Sequence, residues 1–231
     1  AEAFNINGLD TKGIHAITMP CYGTTDRTLN NAKKLMELLN VTSYEINIKD
    51  ACEQHYKDIG HDKSNLDVTF ENVQARERTQ ILMDISNKIG GLVVGTGDLS
   101  ELALGWCTYN GDQMSMYGVN ASIPKTLVRG ILESYAQHHN ELRETLLDIC
   151  DTPVSPELLP PNEDGTIKQK TEDKIGSYVI HDFILYYMQR HGFGPRKIFD
   201  LYINAKTMHE KKMGVENPVI DKADVLKNKE I

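Results

Sequence analysis

The stretch from Gly91 to Thr126 constrains the fold of this chain more than any other part of the sequence. It opens with the apolar residues 92–94, which predict a short strand. That strand leads into a polar turn at residues 95–98, and the next helix carries Glu101 in its first turn. A strand, a glycine-containing turn and a helix in direct succession are typical of an open α/β sheet. In such a sheet, ligands bind just beyond the carboxyl ends of the strands.

The rest of the chain continues this alternation of strands and helices. Strands are predicted at 14–19, 43–48 and 92–95, and helices at 24–39, 50–59, 70–89, 124–137, 178–190 and 195–205. The alternation predicts an α/β fold with a doubly wound parallel sheet and a C-terminal helical extension. Prolines and polar residues cluster at 151–173, which indicates a loop or lid-like crossing. We therefore expect a core over 1–150, this crossing over 151–173, and a helical part over 174–231.

Composition narrows the class of protein. The formal charge is −8, so neither a nucleic acid nor an anionic membrane is expected as a partner. No apolar run approaches about 20 residues, and the first residues lack the basic start and apolar core of a signal peptide. The four cysteines form no CxxC pair, and the eight histidines show no metal-binding spacing. Reduced thiols and a cytoplasmic location are expected.

The turn after residue 94 offers the chemistry of a phosphate site. It brings together the Thr96 hydroxyl, the acids Asp98 and Glu101, and the free N-terminus of a helix. These groups suit a phosphate and its metal ion. A strand that ends in an ordinary capped turn is the alternative that the residues leave open.

The order of several motifs resembles that of the ATP-dependent NAD synthetases, and most closely the large glutamine-dependent bacterial type. The motifs are Ala-Ile-Thr-Met-Pro at 16–20, Phe-Glu-Asn-Val-Gln-Ala-Arg at 70–76, Gly-Thr-Gly-Asp-Leu-Ser-Glu at 95–101, Gly-Trp at 105–106, Thr-Tyr at 108–109, Gly-Asp at 111–112, Pro-Lys-Thr at 124–126 and Ser-Pro-Glu-Leu-Leu-Pro at 155–160. The resemblance covers roughly residues 14 to 205. It implies an adenine-nucleotide alpha-hydrolase-like fold, which is Rossmann-like.

The resemblance also implies a reaction. The carboxylate of nicotinic acid adenine dinucleotide would attack ATP to give an adenylate and pyrophosphate. Ammonia from a separate glutaminase module would then displace AMP to give NAD⁺. ATP and Mg²⁺ are implied as substrate and cofactor, and a homodimer or higher oligomer as the assembly.

The resemblance assigns roles to nine residues. ATP contacts fall on Thr96, Lys125 and Ser155; contacts with the deamido-dinucleotide fall on Asn72, Arg76, Glu101, Trp106, Tyr109 and Asp112; and Glu101 is also the candidate Mg²⁺ ligand. Several have a structural alternative, such as a helix cap for Thr96 or a core position for Trp106. Asn72 and Arg76 lie one helical turn apart, so they share a flank that could equally be solvated.

Three departures from the family pattern limit what this chain is expected to do. The family's Ser-Gly-Gly-x-Asp-Ser loop, which holds the ATP pyrophosphate, has no counterpart in a strand–turn–helix context, because residues 5–11 lie directly before the strand at Ile14. Tyr109 and Met116 stand where shorter family members have a lysine and an acid. The C-terminal basic segment is also missing. We therefore expect an inactive fragment of the synthetase module. A non-catalytic nucleotide-binding remnant and another adenylating amidotransferase of the same fold remain alternatives.

Overall fold

A computed structural model describes residues 1–162 and 170–212 of the chain. The described residues form ten α-helices, one 3-10 helix and four strands, arranged as alternating helices and strands in the first 138 residues and as helices alone after that. In chain order the elements are α1 (Glu2–Ile6), the 3-10 helix (Thr11–Gly13), β1 (His15–Thr18), α2 (Asp26–Leu38), β2 (Thr42–Glu45), α3 (Lys49–Asp58), α4 (Val68–Ile89), β3 (Val94–Gly95), α5 (Leu99–Leu104), β4 (Tyr117–Gly118), α6 (Lys125–His138), α7 (Asn140–Cys150), α8 (Thr171–Ile175), α9 (Tyr178–His191) and α10 (Pro195–Lys212).

The first parallel unit is β1–α2–β2. Strand β1 pairs with β2 in parallel, with His15 opposite Thr42 and Thr18 opposite Glu45. Helix α2 makes the crossover, and it begins where predicted because the Thr25 hydroxyl accepts a hydrogen bond from the amide of Thr28. The predicted α/β alternation is confirmed here.

Helix α4 packs on this unit and contributes buried apolar side chains to its core. The Asp67 carboxylate caps the helix start by accepting bonds from the amides of Thr69 and Phe70, and Gly90 ends the helix at a φ of +66°. Phe70 on α4 packs against Tyr56 on α3 within a cluster of buried side chains. The cluster comprises Met19, Ile48, Cys52, Tyr56, Phe70 and Val73.

The second parallel pair, β3–β4, is shorter than predicted. Strand β3 contains only Val94 and Gly95, which pair with Tyr117 and Gly118. Among the described residues no strand joins this pair to β1–β2, so the parallel strands form two separate sheets. Leu92 and Val94 are 60% and 55% exposed, whereas Val93 between them is 9% exposed, so only one face of this apolar segment is buried.

The remaining helices pack on one another. Helices α6 and α7 share a second apolar cluster, in which Leu142 and Leu146 lie one turn apart on α7. Helix α7 was not predicted, whereas α9 and α10 lie at the predicted places. Helix α10 continues to Lys212, beyond the predicted end at 205.

The proline-rich crossing has neither helix nor strand over 151–162, as predicted, while its part at 163–169 lies outside the described residues. It packs closely on the first unit at Gly23. A Cβ at Gly23 would lie 2.7 Å from the amide nitrogen of Leu158 and would overlap the carbonyl of Glu157. Across residues 1–162 and 170–212, no helix has the length and apolar character that a membrane span requires.

Candidate functional site

A cavity of about 330 Å³ opens at the carboxyl end of β3. Its lining includes the turn Gly95–Gly97 and the side chains of Glu101, Asp112 and Lys125. Four of the predicted site residues therefore line one cavity: Thr96, Glu101, Asp112 and Lys125. Lys125 is 13 or more positions away from the other three in the sequence. The cavity lies where an open α/β sheet binds its ligands.

The start of α5 is closed by its own side chains. The Asp98 carboxylate accepts a hydrogen bond of 3.0 Å from the amide of Glu101, and the Glu101 carboxylate accepts one of 3.2 Å from the amide of Asp98. This reciprocal pair is a capping box. The amide of Leu99 donates to the carbonyl of Ile123 at 3.0 Å. The expectation of a free helix N-terminus is therefore wrong, because these amides are already satisfied within the chain.

Lys125 bridges the two acids of the capping box. Its Nζ lies 2.8 Å from Asp98 Oδ2 and 2.5 Å from Glu101 Oε1. The Asp98 side chain is only 3% exposed, whereas those of Glu101 and Lys125 keep about a quarter of their surface accessible. Burial alone would lower the pKa of Lys125, but the hydrogen bonds with Asp98 and Glu101 raise it above its ordinary value. The site therefore holds a fixed cation at the wall of the cavity.

A buried carboxylate on α9 holds the backbone at the point where Lys125 begins its helix. Asp182 on α9 accepts hydrogen bonds from the Thr126 amide at 2.9 Å and the Thr126 hydroxyl at 2.7 Å. It also accepts a bond from the Ser100 hydroxyl, which in turn accepts one of 2.9 Å from the amide of Lys125. Asp182 thus joins α5, α6 and α9 at the point where Lys125 begins its helix. Asp182 and Ser100 were not predicted as site residues; the available signal for Asp182 was a single acid within the apolar run of α9.

Two predicted residues on α4 hold the turn beside the cavity. Asn72 Oδ1 accepts a hydrogen bond of 2.9 Å from the Thr108 hydroxyl, and Arg76 Nε donates one of 3.0 Å to the Tyr109 carbonyl. Asp112 closes the same turn by accepting a bond of 2.7 Å from the amide of Thr108. The flank of α4 that carries Asn72 and Arg76 therefore contacts the turn at 108–112 rather than facing solvent alone.

Three further predicted site residues do not line the first cavity. The Tyr109 side chain is 73% exposed, and Trp106 is half-buried at the end of α5. Ser155 is absent from the lining, and its hydroxyl accepts a hydrogen bond of 3.1 Å from the amide of Glu157. The ligand-binding roles of these three residues stay predictions.

A second cavity of about 230 Å³ adjoins the first and shares Gly95, Thr96 and Asp112 with it. Arg78 lines this space, and its Nε donates a hydrogen bond of 3.2 Å to the carbonyl of Met19. Burial lowers the pKa of Arg78. Arg78 was not predicted as a site residue, because it lies two residues beyond the end of the motif at 70–76.

The carboxylates that line the first cavity suit a metal ion that needs only one or two ligands from the protein. Within the described ranges, no group of three or more His, Cys, Asp or Glu side chains is arranged to hold a metal ion. Mg²⁺ is usually bound through one or two carboxylates together with phosphate oxygens and water. Glu101 supplies such a carboxylate at the cavity wall, so the residues present fit Mg²⁺ in the company of a phosphate ligand.

A sequence profile of the NAD synthase family matches residues 2–213 of the chain. The glutamine-dependent NAD(+) synthetase of Mycobacterium leprae is 45% identical over 207 residues, which make up 86% of this chain and 30% of the relative. The chain thus spans about a third of the length of the curated relatives that it matches most strongly.

Solved structures share the fold. A glutamine-dependent NAD(+) synthetase from Cytophaga hutchinsonii superposes with a TM-score of 0.64 at 18% identity, covering 90% of this chain and 31% of that one. The glutamine-dependent NAD+ synthetase from Acinetobacter baumannii, solved with ADP, superposes with a TM-score of 0.55 at 22% identity, covering 95% of this chain and 40% of that one. The similarity confirms the Rossmann-like α/β class that the sequence predicted. Since the profile matches residues 2–213, the chain belongs to the NAD synthase family.

Proposed function

We propose that this chain is part of the synthetase module of a glutamine-dependent NAD⁺ synthetase and that its cavity after β3 binds the triphosphate of ATP. One observation carries the proposal. Thr96, Glu101 and Lys125 line a single cavity at the carboxyl end of a parallel strand, in a chain that belongs to the NAD synthase family. The whole reaction would be the ATP-dependent amidation of nicotinic acid adenine dinucleotide through an adenylate.

Lys125 is proposed to contact ATP phosphates. A lysine ammonium acts as a point charge toward phosphate oxygens, and this one is held between two acids at the cavity wall. The two acids keep the amine protonated, since they raise its pKa. An incoming phosphate would compete with Glu101 for this cation, because the Glu101 contact lies at the open side while Asp98 is buried.

Thr96 and Glu101 are proposed to complete the phosphate end. Thr96 lies at the end of the strand and lines both cavities, so its hydroxyl or backbone can reach a bound nucleotide. Glu101 would hold Mg²⁺ together with phosphate oxygens. When bound there, Mg²⁺ would neutralise charge on the pyrophosphate leaving group.

The deamido-dinucleotide is proposed to bind against the turn at 108–112. Asn72 and Arg76 support this turn from α4, and Asp112 lies between the two cavities. Trp106 and Tyr109 offer rings for stacking on the substrate, and Ser155 is kept as a candidate second ATP contact. Holding two reactants in a fixed geometry supplies much of the catalysis for a reaction of this kind.

The experiment is an assay of NAD⁺ formation from nicotinic acid adenine dinucleotide, ATP–Mg²⁺ and ammonia. It is run on this chain and on a chain extended upstream by the residues that its relatives carry. We expect formation by the extended chain and none by this chain, because the family's glycine-rich loop has no counterpart here. The proposal fails if neither chain binds ATP–Mg²⁺ by calorimetry.

A non-catalytic nucleotide-binding remnant is the second candidate. It is favoured by the capping box at the start of α5, because Asp98 and Glu101 already have partners within the chain. The same assay separates the two, since a remnant would bind ATP–Mg²⁺ in both chains and form NAD⁺ in neither. The third candidate, another adenylating amidotransferase of this fold, would instead require turnover of an acceptor other than the deamido-dinucleotide.

A further inference from the structure

Two thiols lie side by side at the end of β1, where the proposed chemistry does not use them. Cys21 follows β1 in the turn after Pro20, and Cys52 lies in the first half of α3. The two segments are joined at the backbone, since the amide of Ile48 donates a hydrogen bond of 3.2 Å to the Pro20 carbonyl. Cys52 is 0% exposed within the apolar cluster, and Cys21 packs against that cluster while keeping part of its surface accessible.

The two thiols interact, and their surroundings make them unequal, because Cys21 keeps part of its surface accessible whereas Cys52 is fully buried. The interaction with Cys52 lowers the pKa of the Cys21 thiol more than burial raises it, and Arg78 and Lys49 add to the lowering. The interaction with Cys21, together with burial, raises the pKa of Cys52. The reactive form of a cysteine is the thiolate. Cys21 therefore suits the role of the attacking thiol, with Cys52 behind it as the second thiol.

Both remaining cysteines lack such a partner. Burial raises the pKa of Cys107 and of Cys150, and neither is paired with another thiol in the part of the chain that the structure describes. Cys107 instead donates a hydrogen bond of 2.9 Å to Gln113. They serve as internal controls that share the same chain and the same solvent.

We propose that Cys21 and Cys52 are a modification site, which a low-molecular-weight disulfide such as oxidised glutathione converts into a reversible Cys21–Cys52 disulfide. The Cys21 thiolate attacks one glutathione sulfur, which forms a mixed disulfide on Cys21 and releases one glutathione thiolate. Cys52 then gives its proton to the released thiolate and attacks the Cys21 sulfur, which releases the second glutathione. Two protein thiols are oxidised, and one molecule of oxidised glutathione is reduced to two thiols.

The bond would tie the turn after β1 to α3 beside the second cavity. Met19, two residues before Cys21, lines that cavity and accepts the hydrogen bond from Arg78. Oxidation would therefore act on a segment that borders the proposed nucleotide site without consuming any residue assigned to it. The proposal does not depend on the proposed function, because the chemistry belongs to the thiols alone.

The test incubates the folded wild-type chain with oxidised glutathione, blocks free thiols with iodoacetamide and maps the tryptic peptides by mass spectrometry. Cys21 lies on the peptide 13–27 and Cys52 on the peptide 50–57. We expect these two peptides to appear joined, lighter by two hydrogen atoms than their sum, and to separate again with dithiothreitol. The proposal is overturned if glutathione stays on Cys21 with no cross-link, or if Cys107 or Cys150 is oxidised before this pair.

Two variants sharpen the result. In Cys52→Ala the second thiol is gone, so glutathione should remain on Cys21 as a stable mixed disulfide. In the matched control, Cys150→Ala, the cross-link should form as in the wild type. An unmodified Cys21 in folded Cys52→Ala would contradict its role as the attacking thiol, and should that variant not fold, the wild-type peptide map decides alone.

Discussion

The region around β1 and β2 packs an apolar interior, whereas the region around β3 and β4 is held mainly by polar contacts. In the first region, Tyr56 and Phe70 stack with ring centroids 5.5 Å apart and are at most 2% exposed. In the second, the strands have two residues each, and Tyr117 is 60% exposed. There, helices α6 and α9 are joined by the hydrogen bonds that Asp182 accepts from Thr126.

This difference in packing indicates that the two regions contribute to the protein in different ways. Apolar burial is non-directional and roughly proportional to the area removed from water, so it stabilises a fold without fixing single atoms. Hydrogen bonds to a buried carboxylate have defined directions and lengths, so they can fix where Lys125 points. We infer that the first region supplies most of the stability and the second the geometry of the site.

Removing a ring from the apolar cluster should have the largest effect. Phe70→Ala is expected to lower the free energy of unfolding by about 3–5 kcal/mol, because it deletes a buried aromatic side chain and leaves a cavity. Val68→Ala, at a 67% exposed position on the same helix, is the control and should change it by less than about 0.5 kcal/mol. Urea denaturation measures both, and equal effects would break the comparison.

Removing the buried carboxylate should come next. Asp182→Ala is expected to lower the free energy of unfolding by about 2–3 kcal/mol, since the Ser100 hydroxyl and the Thr126 amide lose their acceptor. Asp182→Asn retains one acceptor oxygen and should cost less. If Asp182→Ala were no worse than the exposed control Asp173→Ala, the polar contacts would not hold this region together.

A methyl group at Gly23 should have an intermediate effect. Gly23→Ala is expected to cost about 1–3 kcal/mol, because the new Cβ would meet the backbone of Glu157 and Leu158 rather than a movable side chain. Gly130→Ala, within α6 and with nothing within 4 Å of the added carbon, should instead stabilise the chain by about 0.5–1 kcal/mol. Thermal unfolding of both variants shows whether each substitution stabilises or destabilises the chain. A stabilised Gly23→Ala variant would contradict the close packing of this segment.

The surface ion pair between Arg27 and Asp148 should show the smallest effect, visible mainly through pH. Arg27, with a further hydrogen bond from Asn31, lowers the pKa of Asp148 to about 2 from an ordinary value of 3.8. A lowered folded pKa stabilises the chain above pH 3.8, and this stabilisation is lost as the pH falls through 2. Asp148→Asn should therefore remove part of the pH dependence of the unfolding midpoint between about pH 4 and 2. An unchanged pH profile would show that the exposed pair contributes nothing.

Local signals in the sequence predicted much of the fold. Thr25 and Gly90 mark the boundaries of α2 and α4, since a cap depends on residues only a few positions apart. The Gly-Thr-Gly-Asp turn predicted a site with Thr96 and Glu101 after β3, and the resemblance to the NAD synthetases added Lys125; all three line one cavity. These features depend on short-range chemistry and on one rule of α/β topology.

Long-range polar contacts could not be predicted. Ser100 and Asp182 are 82 positions apart, and nothing local to either residue specifies the other. The capping box was misjudged for a different reason, because the same two acids can cap a helix or face a ligand. The shortness of β3 depends on which strands lie beside it, which is a property of the assembled sheet.

The most direct measurement is the affinity for ATP–Mg²⁺, by calorimetry, of this chain and of one extended upstream, each as wild type, Lys125→Met and Lys88→Met. Lys88 is an exposed lysine at the end of α4 and serves as the charge-matched control. We predict that Lys125→Met weakens binding by about 10- to 100-fold, the loss of one charge-assisted contact of about 1.5–3 kcal/mol, while Lys88→Met binds as the wild type does. Equal affinity of the Lys125→Met and Lys88→Met variants would contradict the placement of the triphosphate in the cavity after β3.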